Sequence, residues 1–372
     1  MSDIPNANLA ALTAAGVSVW LDDLDRHRIE SGELGRMIMS DSVHGVTTNP
    51  TIFDKAISHG ADAYADQLRS LARSGADVDS IIRALTTDDV RSACDLFLPL
   101  FQSTDGVDGR VSIEVDPRLA HDTNATIAQA RDLWRIVDRP NALIKIPATP
   151  EGLPAITEVI GSGISVNVTL IFSVDRYQAV VDAYRAGLDL ARERHHDLAT
   201  IHSVASFFIS RIDTEVDARL RRLGTPEAEA LVGQAAVATG RLVWANHLSG
   251  LASPEWQQVA AYGGRSQRPL WASTGVKDPS MAPTRYVLDL VVDGCVNTMP
   301  EATLRAVADN GPVPADTVTG TEAASAEVWA ALARVGISQQ DVSATLEREG
   351  VTKFIDSWEQ LRATVAAAAA EA

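Results

Sequence analysis

Asn141-Ala-Leu-Ile-Lys-Ile-Pro-Ala-Thr149 is the stretch on which the reading of this chain turns. Leu143 to Ile146 is a short apolar run closed by Pro147, the pattern of a buried parallel strand. Lys145 sits inside it. Lysine is almost never fully buried without a partner, so two readings compete. In the first, a lysine at a strand end turns to solvent. In the second, the amine is kept in a dry pocket, where desolvation disfavours the ammonium and leaves a neutral nucleophile for a carbonyl.

Working outward, similar short apolar runs recur along the chain. Val17–Leu21, Gly45–Pro50 and Val111–Val115 precede the lysine strand; Ser165–Phe172, His202–Ile209, Pro269–Gly275 and Cys295–Met299 follow it. Helical patterns fill the intervals. Ile52 to Gln102 reads as helix, with Gly75 as a C-cap and Thr87 opening a further helix. Asp122-Thr123 opens a helix that should bury Ile127, Ala130, Trp134 and Val137, and Ser173 caps one whose face runs Tyr177, Val181, Tyr184 and Leu188. Thr225-Pro226 is a cap followed by a first helical residue. Everything after Glu301 reads as helical, ending in an alanine-rich tail, Ala366–Ala372, expected to fray.

Eight strands each followed by helix give the expected fold: class α/β, a (β/α)8 TIM barrel with additional N- and C-terminal helices. No repeat or linker divides the chain. The expectation is therefore one domain over residues 1–372, with a barrel core at about 17–310 and a C-terminal helical extension at about 311–372. A doubly wound open sheet would need a glycine-rich phosphate loop after its first strand, and there is none.

The 372 residues carry a net charge of −17, with 46% hydrophobic and 22% charged residues. That composition suits a soluble globular protein, and the absence of a basic run argues against nucleic acid as a partner. Cys94 and Cys295 have no paired spacing, which points to a reducing compartment. No basic flank leads into an apolar run at Met1, and no apolar stretch approaches the roughly 18 residues that span a bilayer. A cytoplasmic protein without membrane contact is expected. Against its acidic background, any anionic substrate needs a local positive pocket.

In a barrel of this kind, strand C-termini form the active site. Here they carry Asp22, Asn49, Glu114, Lys145, Asn167, Thr169, Ser206 and Arg211, with Ser273 and Lys277 after the seventh strand. A lysine, two carboxylates and amide or hydroxyl partners supply what Schiff-base chemistry requires: a nucleophile, proton carriers and groups that orient water.

Five motifs carry a family resemblance. Gly45-Val-Thr-Thr-Asn-Pro50, Ser112-Ile-Glu-Val-Asp116, Leu143-Ile-Lys-Ile-Pro147, Asn167-Val-Thr-Leu-Ile-Phe-Ser173 and Ser206-Phe-Phe-Ile-Ser-Arg211 occur in an order and spacing that resemble the transaldolase family. Ser273-Thr-Gly-Val-Lys-Asp-Pro279 looks like its longer bacterial branch. The resemblance runs from about Val17 to Met299. It implies that Lys145 forms the Schiff base and that Glu114 works through a water held with Thr169. Asp22, preferred to Asp23 because it directly follows the apolar run, would take the proton of the substrate C4 hydroxyl. Asn49 and Asn167 would hold the dihydroxyacetone hydroxyls, with Ser206 and Phe208 lining the site. Arg211 matches the phosphate-binding arginine. Where many members have a second arginine, this chain offers Lys277, with Ser273 or Thr274 as hydroxyl partner.

The implied activity is transfer of a dihydroxyacetone unit from sedoheptulose 7-phosphate or fructose 6-phosphate to an aldose phosphate, a step of the pentose phosphate pathway. One rival is a Schiff-base aldolase that releases free dihydroxyacetone; another is a non-catalytic sugar-phosphate binding barrel. No cofactor is expected. Nor is a metal, since His195-His196 has no third ligand and Asp22-Asp-Leu-Asp25 lacks the rest of a calcium loop.

Overall fold

The computed structural model describes residues 5–371. Eight parallel strands close into a barrel in chain order: β1 (Ser18–Leu21), β2 (Gly45–Val46), β3 (Arg110–Glu114), β4 (Ala142–Pro147), β5 (Val166–Ile171), β6 (Ser203–Phe208), β7 (Arg268–Ala272) and β8 (Val296–Met299). β8 pairs with β1, Ser18 opposite Val296. This is the expected (β/α)8 barrel.

Side chains alternate across each strand, so the register sorts them into two sets. Following the pairs around the barrel places Ser18, Trp20, Gly45, Ser112, Glu114, Leu143, Lys145, Asn167, Val204, Ser206, Leu270, Val296 and Thr298 on the inner face. The outer set is apolar: Val19, Val111, Ile113, Ile144, Val166, Val168, Ala205 and Phe207 are buried under the surrounding helices. A fully buried Val, Leu or Ile side chain contributes about 1.5–3 kcal/mol. The outer face therefore holds the barrel together and leaves the inner face free to carry polar groups. Gly45 is required where it stands, because a Cβ there would lie 2.6 Å from the Trp20 indole.

Several local expectations change. β2 contains only Gly45–Val46, because Asn49 caps a helix over Pro50–His59 and accepts from the Ile52 amide at 3.1 Å. Thr87 starts no helix. A continuous helix, Val78–Ser103, is capped by Asp77, and the Thr86 and Thr87 hydroxyls donate back to the Ile82 and Arg83 carbonyls at 2.9 and 2.7 Å. Gly75 does follow the helix Ala61–Arg73, at φ 81°. In the helix Thr123–Val137, the buried stripe is Thr126, Ala130, Leu133 and Val137; Ile127 and Trp134 lie on its half-buried margin. Likewise Val180 is buried in the helix Val174–Glu193, whereas Val181 is half-buried.

An N-terminal helix, Ala7–Ala14, is tied to the helix Glu301–Asp309 by Asn8, which donates to the Ala308 carbonyl at 2.9 Å. After β8 come Glu322–Arg334 and a long last helix, Gln339–Ala370. The alanine-rich tail is helical through Ala370 rather than frayed, with Ala368 and Ala369 packed against the core. The last helix crosses the C-terminal mouth of the barrel. Gly350 lets it do so, since a Cβ at that position would stand 3.2 Å from Leu170 and 3.3 Å from Phe172. No described helix is long and apolar enough to cross a membrane.

Candidate active site

Lys145 projects from β4 into the barrel and is only 4% exposed. Its neighbours in register are Glu114 on β3 and Asn167 on β5. The Lys145 Nζ stands 3.3 Å from Glu114 Oε2 and donates to the Thr48 carbonyl at 3.1 Å. It also lies 5.7 Å from the ring centroid of Phe354, on the last helix. Of the two readings of this lysine, the buried one describes the structure.

Glu114 is as enclosed as its partner. Burial pushes its carboxyl up to about 7, held back by Lys145 and pushed further by Asp22. Neither carboxylate oxygen accepts a hydrogen bond of regular geometry from the described residues, and the Thr169 hydroxyl is likewise without a partner. Buried polar groups are normally satisfied, so three such atoms around one lysine mark a place where a reacting molecule supplies the missing contacts. A carboxyl near 7 can both give and take a proton at neutral pH.

Strand parity separates the two acids after β1. Ser18, Trp20 and Asp22 share the inward parity, and Asp22 accepts from the Thr47 hydroxyl at 2.7 Å. Asp23 turns out to Arg28, 3.3 Å away. Asn167 is fully enclosed: it accepts from Ser206 Oγ at 2.7 Å and donates to Ser112 Oγ at 3.0 Å. Beyond Thr169 the strand is irregular. Leu170 adopts φ 61° and the pairing with β6 shifts register there, a strained conformation of the kind that clusters at functional sites.

Phe208, at the end of β6, packs against Phe172 and Phe354 with centroids 5.3 and 6.4 Å apart. Arg211 lies across both aromatic rings, 5.1 Å from Phe208 and 5.8 Å from Phe354. Burial pulls its guanidinium down while Asp22, Glu114 and Glu349 oppose that pull, yet none of these acids reaches ion-pair distance. After β7, the Thr274 hydroxyl is committed to the Thr298 carbonyl at 2.8 Å. Ser273 stays half-buried at φ 55°, its hydroxyl 3.0 Å from that of Ser210. Lys277 is exposed and forms no ion pair among the described residues.

Asn49 has its side-chain oxygen committed to its own helix cap, accepting from the Ile52 amide. Lys145, Glu114, Asp22, Asn167, Thr169, Ser206, Phe208 and Arg211 thus gather in and around one well. Sequence reasoning missed Thr47, Thr48, Ser112 and Phe354. Thr47 and Ser112 lie within the quoted motifs at inward parity, which could have found them; Thr48 has the opposite parity and contributes its backbone carbonyl, and nothing local marks Phe354. Among the described residues, no group of three or more His, Cys, Asp or Glu side chains is placed to hold a metal ion.

Comparison with known proteins bears on what such a well does. A family model described as transaldolase/fructose-6-phosphate aldolase matches residues 19–365. The chain belongs to that family. Relatives named transaldolase include one from Mycolicibacterium smegmatis, 59% identical over 356 residues, which covers 96% of each chain. One from Mycobacterium tuberculosis is 58% identical over 357 residues, 96% of this chain and 95% of the relative. Another, from Mycobacterium leprae, is 57% identical over 361 residues, 97% and 96% of the two chains. This transaldolase-family chain is accordingly an enzyme, and the non-catalytic reading falls away.

Proposed function

We propose that the chain transfers a dihydroxyacetone unit between sugar phosphates through a Schiff base on Lys145. The observation that carries this reading is the buried Nζ held 3.3 Å from a carboxyl whose pKa lies about 7. The neutral amine adds to the ketose carbonyl, and Glu114, acting through a water placed with Thr169, protonates the departing hydroxyl so that water leaves and an iminium forms. Asp22 then takes the C4 hydroxyl proton. The C3–C4 bond breaks, its electron pair moves into the iminium to give an enamine, and an aldose leaves. An aldose phosphate acceptor reverses these steps, and hydrolysis of the new iminium frees Lys145.

Asn49, Asn167 and Ser206 orient the three-carbon unit, while Phe208 walls the well. Arg211, Lys277 and Ser273 receive the phosphate, for which a protein carrying −17 needs local cations. Sedoheptulose 7-phosphate or fructose 6-phosphate is the donor, and glyceraldehyde 3-phosphate or erythrose 4-phosphate the acceptor. The barrel and its terminal helices act as one domain, in the cytoplasm, with no nucleic-acid partner.

The family description also includes fructose-6-phosphate aldolase, and water in place of the acceptor would give that outcome. A coupled assay with fructose 6-phosphate, run with and without erythrose 4-phosphate, separates the two. Turnover that depends on the acceptor supports transfer; equal release of dihydroxyacetone in both arms contradicts it.

A further inference from the structure

Lysine is scarce in this chain: four residues, Lys55, Lys145, Lys277 and Lys353, against 28 arginines. One lines the reactive well. Of the other three, Lys353 feels Arg211, Lys277 and Lys55, in that order, as neighbouring positive charges. None of these four cations is ion-paired or donates a side-chain hydrogen bond among the described residues. Arginines elsewhere behave differently: Arg28, Arg118, Arg219 and Arg305 each bridge two or more carboxylates. Lys55, Lys277 and Lys353 are exposed and Arg211 is half-buried; like charges without counter-charges repel one another, and an anion set among them would relieve that repulsion.

The position of Lys353 is fixed by its neighbours on the last helix. Gly350, one turn earlier, sits flush against Leu170 and Phe172. Phe354, the next residue, is wedged between Phe208, Arg211 and Lys145. Further along, Ser357 shares a 2.7 Å hydrogen bond with Thr51 on the helix that carries Lys55. The helix is therefore anchored on both sides of the mouth, with Lys353 at its rim. Glu349 is the one nearby acid on this helix that bears on Arg211, and it stops short of an ion pair.

Resting on the activity proposed above, we infer that Lys353 is a specificity-determining residue that binds the phosphate of the sugar phosphate alongside Arg211 and Lys277. The last helix would then contribute a ligand to substrate recognition as well as covering the well. Burial and the neighbouring cations hold the Lys353 ammonium below its ordinary value, a direction that a bound phosphate dianion would reverse.

The test compares the full-length enzyme with Lys353→Met and Lys353→Arg, using fructose 6-phosphate with erythrose 4-phosphate, and inorganic phosphate as inhibitor. Lys353→Met is expected to raise both the KM for fructose 6-phosphate and the inhibition constant of phosphate roughly tenfold, as for loss of one charged hydrogen bond. kcat should move far less, and Lys353→Arg should restore most of the binding. Unchanged KM and phosphate inhibition in an active Lys353→Met enzyme overturns the inference while leaving the proposed activity intact. No turnover of ketose phosphate by the unaltered enzyme would remove the activity itself, and the inference with it.

Discussion

At the N-terminal end of the barrel, Asp108 is surrounded. It accepts from Ser18 Oγ at 2.9 Å and Arg268 at 3.1 Å, and His44 Nδ1 stands 3.4 Å away. Arg268 in turn donates to Ser18 and to the Val107 carbonyl. At the C-terminal end, Glu114 has Lys145 Nζ 3.3 Å away but accepts no regular hydrogen bond, Thr169 has no partner, and Arg211 rests on aromatic rings without a carboxylate. Burial acts on both acids, with opposite outcomes. Burial alone would raise Asp108, but His44, Arg268 and Ser18 hold it below its ordinary value; at Glu114 burial wins and the carboxyl rises to about 7. The Asp108 cluster is paired and closes its end of the barrel, whereas Glu114 and Thr169 are left for a substrate to complete.

The largest effect expected from breaking this contrast comes at Glu114. Glu114→Gln keeps the shape but cannot exchange a proton, so kcat should fall roughly 100- to 10,000-fold. The pH profile of kcat/KM for the unaltered enzyme should show an ionisation near 7 that the variant lacks. An unaltered profile in Glu114→Gln would assign the proton transfer elsewhere.

Arg211→Ala comes next. Loss of a charge-assisted contact of about 1.5–3 kcal/mol should cut kcat/KM for phosphorylated ketoses roughly 10- to 100-fold. An unphosphorylated ketose should be far less affected. Equal losses for the two substrates would take Arg211 out of phosphate binding.

The smallest catalytic effect is expected at the paired Asp108 cluster. Asp108→Asn should leave kcat unchanged and destabilise the fold by about 3 kcal/mol at neutral pH, since it leaves Arg268 with a weaker partner in a buried cluster. The sign follows from the depressed carboxyl. Its stabilisation is fully present above the ordinary value near 3.8 and is lost as pH falls through the lower folded value. The stability gap between the two proteins in denaturant titrations should therefore narrow from pH 7 to pH 3. A gap that persists or widens on acidification would contradict the assignment.

The barrel was legible because each strand is short, apolar and bounded by turns or caps, and Lys145, Glu114 and Asn167 stood out as polar residues inside such runs. Their shared rung follows from parallel register. What stayed hidden depends on long-range packing. Thr87 looked like a cap because its hydroxyl can serve either a cap or an i−4 carbonyl, and sequence cannot say which. Phe354 and Lys353 lie on a helix whose pattern gives no sign of where it lands. The close approach at Gly350 and the Ser357–Thr51 hydrogen bond set them over the well.

The central claim is that the buried amine of Lys145 forms the covalent intermediate. Borohydride added with fructose 6-phosphate should inactivate the enzyme irreversibly and leave a three-carbon mass adduct that peptide mapping places on Lys145 alone. Borohydride without ketose should do little. Lys145→Arg should show neither adduct nor turnover, because a guanidinium does not deprotonate in a protein. An adduct on Lys55, Lys277 or Lys353 instead, or full activity in Lys145→Arg, would contradict the account.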